Sequence, residues 1–210
     1  MKQVSLIYLF INFYFLKRVV KVLDNKDCIG DNLFYEVSSK LYDLEPSALS
    51  ASKMGRMCIS RKEYRNAIKY CKEAIDLEVD NDKKAKYYLG LADAYRNSGS
   101  YSEARDAVYS ALKLKNNWGE AYMNLGNIYI AGASICGSEF EQKAVYWIAV
   151  DMFSKALTDD KVKSRASKSI NTYSKYFPST EVCFFNNIDK DSVYQIECWI
   201  NKSTRVRTSD

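Results

Sequence analysis

The sequence predicts a mostly α protein: an α-solenoid of antiparallel helix pairs ending in a small β hairpin. Two observations predict it. Small and aromatic residues recur along the middle of the chain at nearly constant spacing, with apolar positions at helical period. Beyond Pro178 that period gives way to the alternation of strands. Composition agrees: of 210 residues two are proline, eight are glycine and 47% are hydrophobic. That is poor in turn residues for an all-β chain and rich enough for a continuous core.

The first stretch, Val4 to Leu16 (VSLIYLFINFYFL), is interrupted by Ser5 and Asn12. A membrane span needs about 20 apolar residues, so this run spans only if extended to Leu23 past Lys17, Arg18 and Lys21. Its length suits the core of a signal peptide, with Lys2 ahead of it. Lys17-Arg18, however, stands where a small-residue cleavage site belongs. Three readings of residues 1–25 stay open: an export signal, a membrane anchor acting through residues 4–23, or a helix packed on the first repeat. Basic residues after an anchor would hold the repeats in the cytoplasm.

From Asp31 to Leu44 the residues Leu33, Phe34, Val37, Leu41 and Leu44 have helical spacing. Glu45-Pro46 stops that helix, because a residue before proline is pushed out of the α region. Ser47 caps the next one.

The repeats then align. Tyr64, Tyr101 and Tyr146 are equivalent, as are Ala67, Ala104 and Ala149, and Ala74, Ala111 and Ala156, with separations of 37 and 45 residues. Gly55, Ala92 and Gly126 correspond on the first helix of each pair. Small residues there let helix axes approach closely. Ala92, Tyr95, Gly99, Tyr101, Ala104, Ala111 and Leu114 together resemble the tetratricopeptide repeat. Met54, Gly55, Tyr64, Ala67 and Ala74 resemble an earlier copy, and Tyr122, Leu125, Gly126 and Tyr129 the first helix of a third. The resemblance covers residues 30–177 and implies a tetratricopeptide-type solenoid over 26–178, which binds a protein or peptide partner and does not catalyse.

Departures are informative. Cys58 and Cys71 stand where aromatics are expected, and the usual period of about 34 is stretched by the Val79–Lys84 connection. Between Gly126 and Ala149 eleven residues are inserted. Gly132, Ser134, Gly137 and Ser138 mark a loop over 132–143, and the second helix of that pair starts early, near Glu139–Gln142. Lys161 to Tyr176 reads as a capping helix with Val162, Ala166, Ile170 and Tyr173 on one face. In the tail, 179–210, Val182–Phe185, Val193–Ile200 and Thr204–Thr208 read as strands, with Asn201-Lys202-Ser203 as a hairpin turn. A lone hairpin is marginal, so this one should pack on the last helices through Tyr194, Ile196, Trp199 or their opposites.

Chemistry is hard to find. The chain has no histidine, which removes the commonest general base and the Ser-His and Cys-His nucleophile pairs. Ser50/Lys53, Ser110/Lys113 and Thr172/Lys175 have Ser/Thr-x-x-Lys spacing but read as solvated helix surface. Gly132 and Gly137 have phosphate-loop spacing, yet Ser138-Glu139 follows where Lys-Ser/Thr is required. Asp80-Asn81-Asp82 and Asp189-Lys190-Asp191 lack the glycine and distal glutamate of a calcium loop. No C-x-x-C joins the six cysteines, so no metal site or cofactor is expected. The net charge of +5 sits at the ends: +3 in residues 1–27 and +2 in 201–210, leaving 23 basic and 23 acidic residues between. A neutral body argues against nucleic acid.

What the resemblance leaves as a site is a groove. It puts Ser52, Arg56, Leu89, Asp93, Arg96, Met123 and Asn127 on the concave, first-helix face, a lining suited to a polar segment with an occasional apolar anchor. The bland alternative is a solvated inner face. The carboxylate clamp for acidic C-terminal tails is disfavoured, because Ser52, Arg56, Gly90, Glu120 and Asn124 stand where Lys, Asn, Asn, Lys and Arg are required.

The Cys-Gly insertion, the YFPS stretch and the terminal CWIN-x-Ser/Thr pattern together resemble tetratricopeptide proteins of bacteroidete cell envelopes. That implies export to the envelope or periplasm; without an export signal the chain would be cytoplasmic. Under export Cys136 can staple the hairpin to the third repeat through Cys198. Cys183 with Cys198 is the alternative pairing. A second functional reading is a structural or anchoring module acting through the apolar N-terminus and the hairpin.

Overall fold

The computed structural model describes residues 14–22 and 32–210. Most of the Val4–Leu16 run and Cys28 lie outside the described residues, so the three readings of the N-terminus are left where the sequence put them. Among the described residues no helix is long and apolar enough to cross a membrane. The chain divides into two compact units, 1–98 and 99–210, each taken by itself below.

The first unit holds a helix over residues 14–22 (α1), then α2 (Asn32–Leu44), α3 (Ala48–Ser60), α4 (Tyr64–Leu77) and α5 (Asn81–Asn97). Phe34, Val37 and Leu41 of α2 are buried with Val20, Met54 and Met57. Leu33 and Leu44, expected on the same face, are exposed; they flank the buried stripe rather than lying on it. Ser47 forms a reciprocal capping box with Ser50 at the start of α3, which satisfies two backbone N–H groups the helix leaves open.

The α3–α4 pair shows why a glycine recurs. A Cβ at Gly55 would stand 2.7 Å from the Cys71 sulfur, so the close approach of the two helices needs a residue without one. Asp80 caps α5 by accepting from the Lys83 N–H at 2.9 Å. The residues expected to form a long Val79–Lys84 connection are therefore mostly the first turn of α5. The stretched period is taken up inside a helix of 17 residues.

The second unit holds α6 (Tyr101–Leu114), α7 (Gly119–Ala131), a 3-10 turn (Ala133–Ile135), α8 (Glu139–Ala156), α9 (Lys163–Tyr173), a second 3-10 turn (Ser174–Tyr176), α10 (Thr180–Phe185), β1 (Val193–Ile196) and β2 (Lys202–Arg205). The α7–α8 pair repeats the logic of α3–α4. The Phe153 ring covers Gly126 as the Cys71 sulfur covers Gly55; Phe153 and Cys71 hold the same place in the repeat. Insertion residues form the 3-10 turn and two added turns at the start of α8, capped by Ser138 and Glu141. Tyr146, first-turn counterpart of Tyr64 and Tyr101, thus lies well inside its helix. At the other end Asp159 accepts from the Gly119 N–H at 3.1 Å, tying the start of α7 to the loop after α8.

Three expectations need correction. The single helix over Lys161–Tyr176 is α9 plus a 3-10 turn, with Val162 as a buried N-cap. Val182–Phe185 is not a strand but part of α10, nucleated by the Ser179 side chain accepting from the Val182 N–H at 3.2 Å. A four-residue apolar run cannot by itself distinguish the two. The hairpin pairs Val193 with Arg205 and Ile196 with Lys202, so Lys202 and Ser203 belong to a strand and the turn is 197–201. β1 stops at Ile196 because Cys198 and Trp199 are drawn towards the helices, and Asn201 turns the chain back at φ 46°.

Candidate functional site

The expected groove residues fall into both units. In the first, Ser52 is half-buried and Arg56 exposed on α3, which packs directly on α5. On α5 the Arg96 guanidinium meets the Asp93 carboxylate at 3.1 Å, one turn apart, with both side chains partly exposed. In the second unit Asn127 is half-buried on α7.

Leu89 and Met123 keep only 8% and 7% of their surface, so the apolar anchors expected there are packed away. The reason is helical phase. Leu89 shares a stripe with buried Ala85 and Ala92, and Met123 with buried Gly119 and Gly126. What stays accessible is polar: Ser52, Arg56, Asp93, Arg96 and Asn127. The clamp position Glu120 is held by an ion pair with Arg165 of α9.

A second constellation, foreseen only as packing through Tyr194, Ile196 or Trp199 and as one of two cysteine pairings, seats the C-terminal segment on α6–α8. The Trp199 ring lies 5.7 Å from both the Tyr101 and Tyr129 rings, over Gly132, whose absent side chain leaves the space. Arg105 Nη1 donates to the Trp199 carbonyl at 2.6 Å and to that of Ile200 at 3.2 Å. The Cys136 and Cys198 sulfurs are joined, whereas Cys183 is a free, buried thiol on α10. Further along, Trp147 Nε1 donates to the Arg207 carbonyl and Arg207 Nη2 returns a bond to the Trp147 carbonyl, both at 2.6 Å. Asp151 accepts from Thr204 at 2.5 Å and pairs with Arg207 at 2.8 Å. Tyr194 packs edge-on against Phe140 and Trp147, as the hairpin needs.

Among the described residues the free thiols are not activated. Burial pushes the Cys71 thiol up to about 12 and the Cys58 thiol to about 11, and raises Cys183 as well, the opposite of what a nucleophile needs. Ser50 Oγ donates to the Glu45 carbonyl and Ser110 Oγ to that of Asp106, so neither is poised beside its lysine. Among the described residues no group of His, Cys, Asp or Glu could hold a metal ion.

The comparisons agree with the geometry. The tetratricopeptide repeat model matches residues 85–117, which run from α5 through α6. No curated protein matches. Among 38 matching chains of solved structures is one from the crystal structure of the APC/C hetero-tetramer Cut9–Hcn1. It is 19% identical with a TM-score of 0.56, and the match covers 67% of this chain. The chain spans about a quarter (26%) of the length of that relative. The helix pairs are thus of the tetratricopeptide type, followed by a two-stranded hairpin.

Proposed function

We propose that this chain is a non-catalytic protein-interaction scaffold, holding a polar partner segment on the first-helix faces of its repeats. The observation that carries the reading is the charge arrangement on two helices in direct contact: Arg56 on α3 is exposed, and Asp93 with Arg96 on α5 are partly exposed, while Leu89 is buried. Such heads bind an extended segment by hydrogen bonds and charge pairs. The tetratricopeptide match over α5–α6 and a structural relative titled as a hetero-tetramer support protein partners. The neutral body argues against nucleic acid. The Cys136–Cys198 link favours an oxidising compartment, hence the cell envelope.

A second reading is a structural or anchoring module in which the groove is idle. It is favoured by the exposure of Phe184 and Phe185 at the end of α10 and of Val193 in the hairpin. Affinity capture with Arg56→Glu/Arg96→Glu and with Phe184→Ser/Phe185→Ser separates the two. Loss of the partner in the first variant alone supports the groove; an unchanged partner there, with loss in the second, replaces it by the anchoring module.

A further inference from the structure

A cavity of about 470 Å³ opens among α1, α2 and α3 of the first unit. Its apolar surface comes from Val20, Leu41 and Leu49, and three lysines, Lys17, Lys21 and Lys53, reach it from α1 and α3. Glu45, the one acidic residue in the lining, is bound to Lys17 at 2.9 Å, so lysines outnumber carboxylates in the lining three to one. Its volume is within the range of small-molecule sites.

The surroundings narrow the occupant. Tyr14, Phe15, Val22 and Leu49 are each more than half exposed. Tyr14, Lys17 and Lys21 recur at helical spacing along α1, so an aromatic ring and two cations share one stripe. In sequence the stretch overlaps the end of Val4–Leu16 and continues it. Exposed aromatic and aliphatic residues interleaved with lysines are the composition of a surface that lies in a membrane interface, where lysine stems cover apolar area and their heads meet phosphates. An acidic peptide would use the lysines but leave Tyr14, Phe15 and Val22 in water.

We infer that the α1–α3 end of the first unit docks on an anionic membrane surface, with one acidic phospholipid seated by its head group among Lys17, Lys21 and Lys53 and its acyl chain against Val20, Leu41 and Leu49. The site is independent of the groove on α3 and α5 and does not rest on it.

The test is co-sedimentation of the full chain with phosphatidylcholine vesicles, with and without phosphatidylglycerol. Vesicles containing phosphatidylglycerol should bind it preferentially, and added salt should weaken that binding. Each lysine neutralised should cost about fivefold in affinity, so Lys21→Gln/Lys53→Gln loses about twenty-five-fold. Leu49→Glu, at an exposed position, should lose the preference as well. Circular dichroism checks that both variants keep the wild-type helix content. Equal binding to both vesicle types would mean that the apolar run alone inserts, and it overturns the inference. So does an unchanged preference in folded variants, or no vesicle binding at all.

Discussion

The indole N–H of Trp199 donates to the carbonyl oxygen of Gly132 at 3.0 Å. Across 67 residues of sequence, that bond ties the hairpin turn to the end of α7. It also gives the carbonyl of the residue that caps α7 a second donor, beside the Ile135 N–H. The repeats and the tail of the second unit therefore stand or fall together.

Trp199→Ala removes the ring from between Tyr101 and Tyr129 and leaves the Gly132 carbonyl only the longer bond from the Ile135 N–H at 3.4 Å. The second unit should lose about 3 kcal/mol, read as an earlier urea unfolding transition. Gly132→Ala tests the same seat from below, because a Cβ there would stand 2.6 Å from the Trp199 ring. It should destabilise in the same direction. A neutral outcome for both would mean that the tail is not held by this seat.

Cys136→Ser should open a loop of 62 residues and cost about 4 kcal/mol on the chain-entropy scale. A non-reduced digest should yield one peptide pair containing Cys136 and Cys198, with Cys183 alkylated only after unfolding. Recovery of Cys183 joined to Cys198 would refute the connection.

At Gly126 a side chain would collide with the Phe153 ring, which is fully buried. Gly126→Val should destabilise by several kcal/mol, whereas Gly126→Val with Phe153→Ala should recover part of the loss, because the second change returns the space. Such non-additivity is expected of residues in contact and can be read in a double-mutant cycle. Simple addition of the two losses would mean that the pair does not share that space.

The thiols make a pH prediction with a definite sign. Cys58 and Cys71 titrate higher in the folded chain, near 11 and 12, than at the ordinary value of 9.0. Their protonated forms are thus favoured by folding. The stabilisation is complete below about pH 9 and is lost as pH rises towards 12. Unfolding of the first unit should shift to lower urea over that window, and less so in Cys58→Ala/Cys71→Ala. At neutral pH both thiols should react with a maleimide only as fast as the unit unfolds.

How much of this was legible beforehand differs by element. α2, the Ser47 cap, the Ala67/Ala104/Ala149 and Ala74/Ala111/Ala156 series, and the early start of α8 were all readable, because each depends on residues within a few turns of one another. Leu89 and Met123 were misread because a resemblance aligns positions but does not report helix rotation, and one step of about 100° moves a side chain from groove to core. Val182–Phe185 was misread because the cap that makes it helical, Ser179, lies outside the run that looks like a strand.

What the sequence by itself determined is the repeat: apolar and small residues at helical spacing dictate which faces are buried, and burial of those faces forms the pairs. Only the tertiary structure decided where the tail goes. Trp199 against Tyr101 and Tyr129, Arg105 on two tail carbonyls, Arg207 against Trp147, and Cys136 rather than Cys183 on Cys198 are all contacts between residues far apart in the chain. No local period encodes such contacts, since each depends on where separately folded helices bring a carbonyl, a ring and a missing side chain into reach.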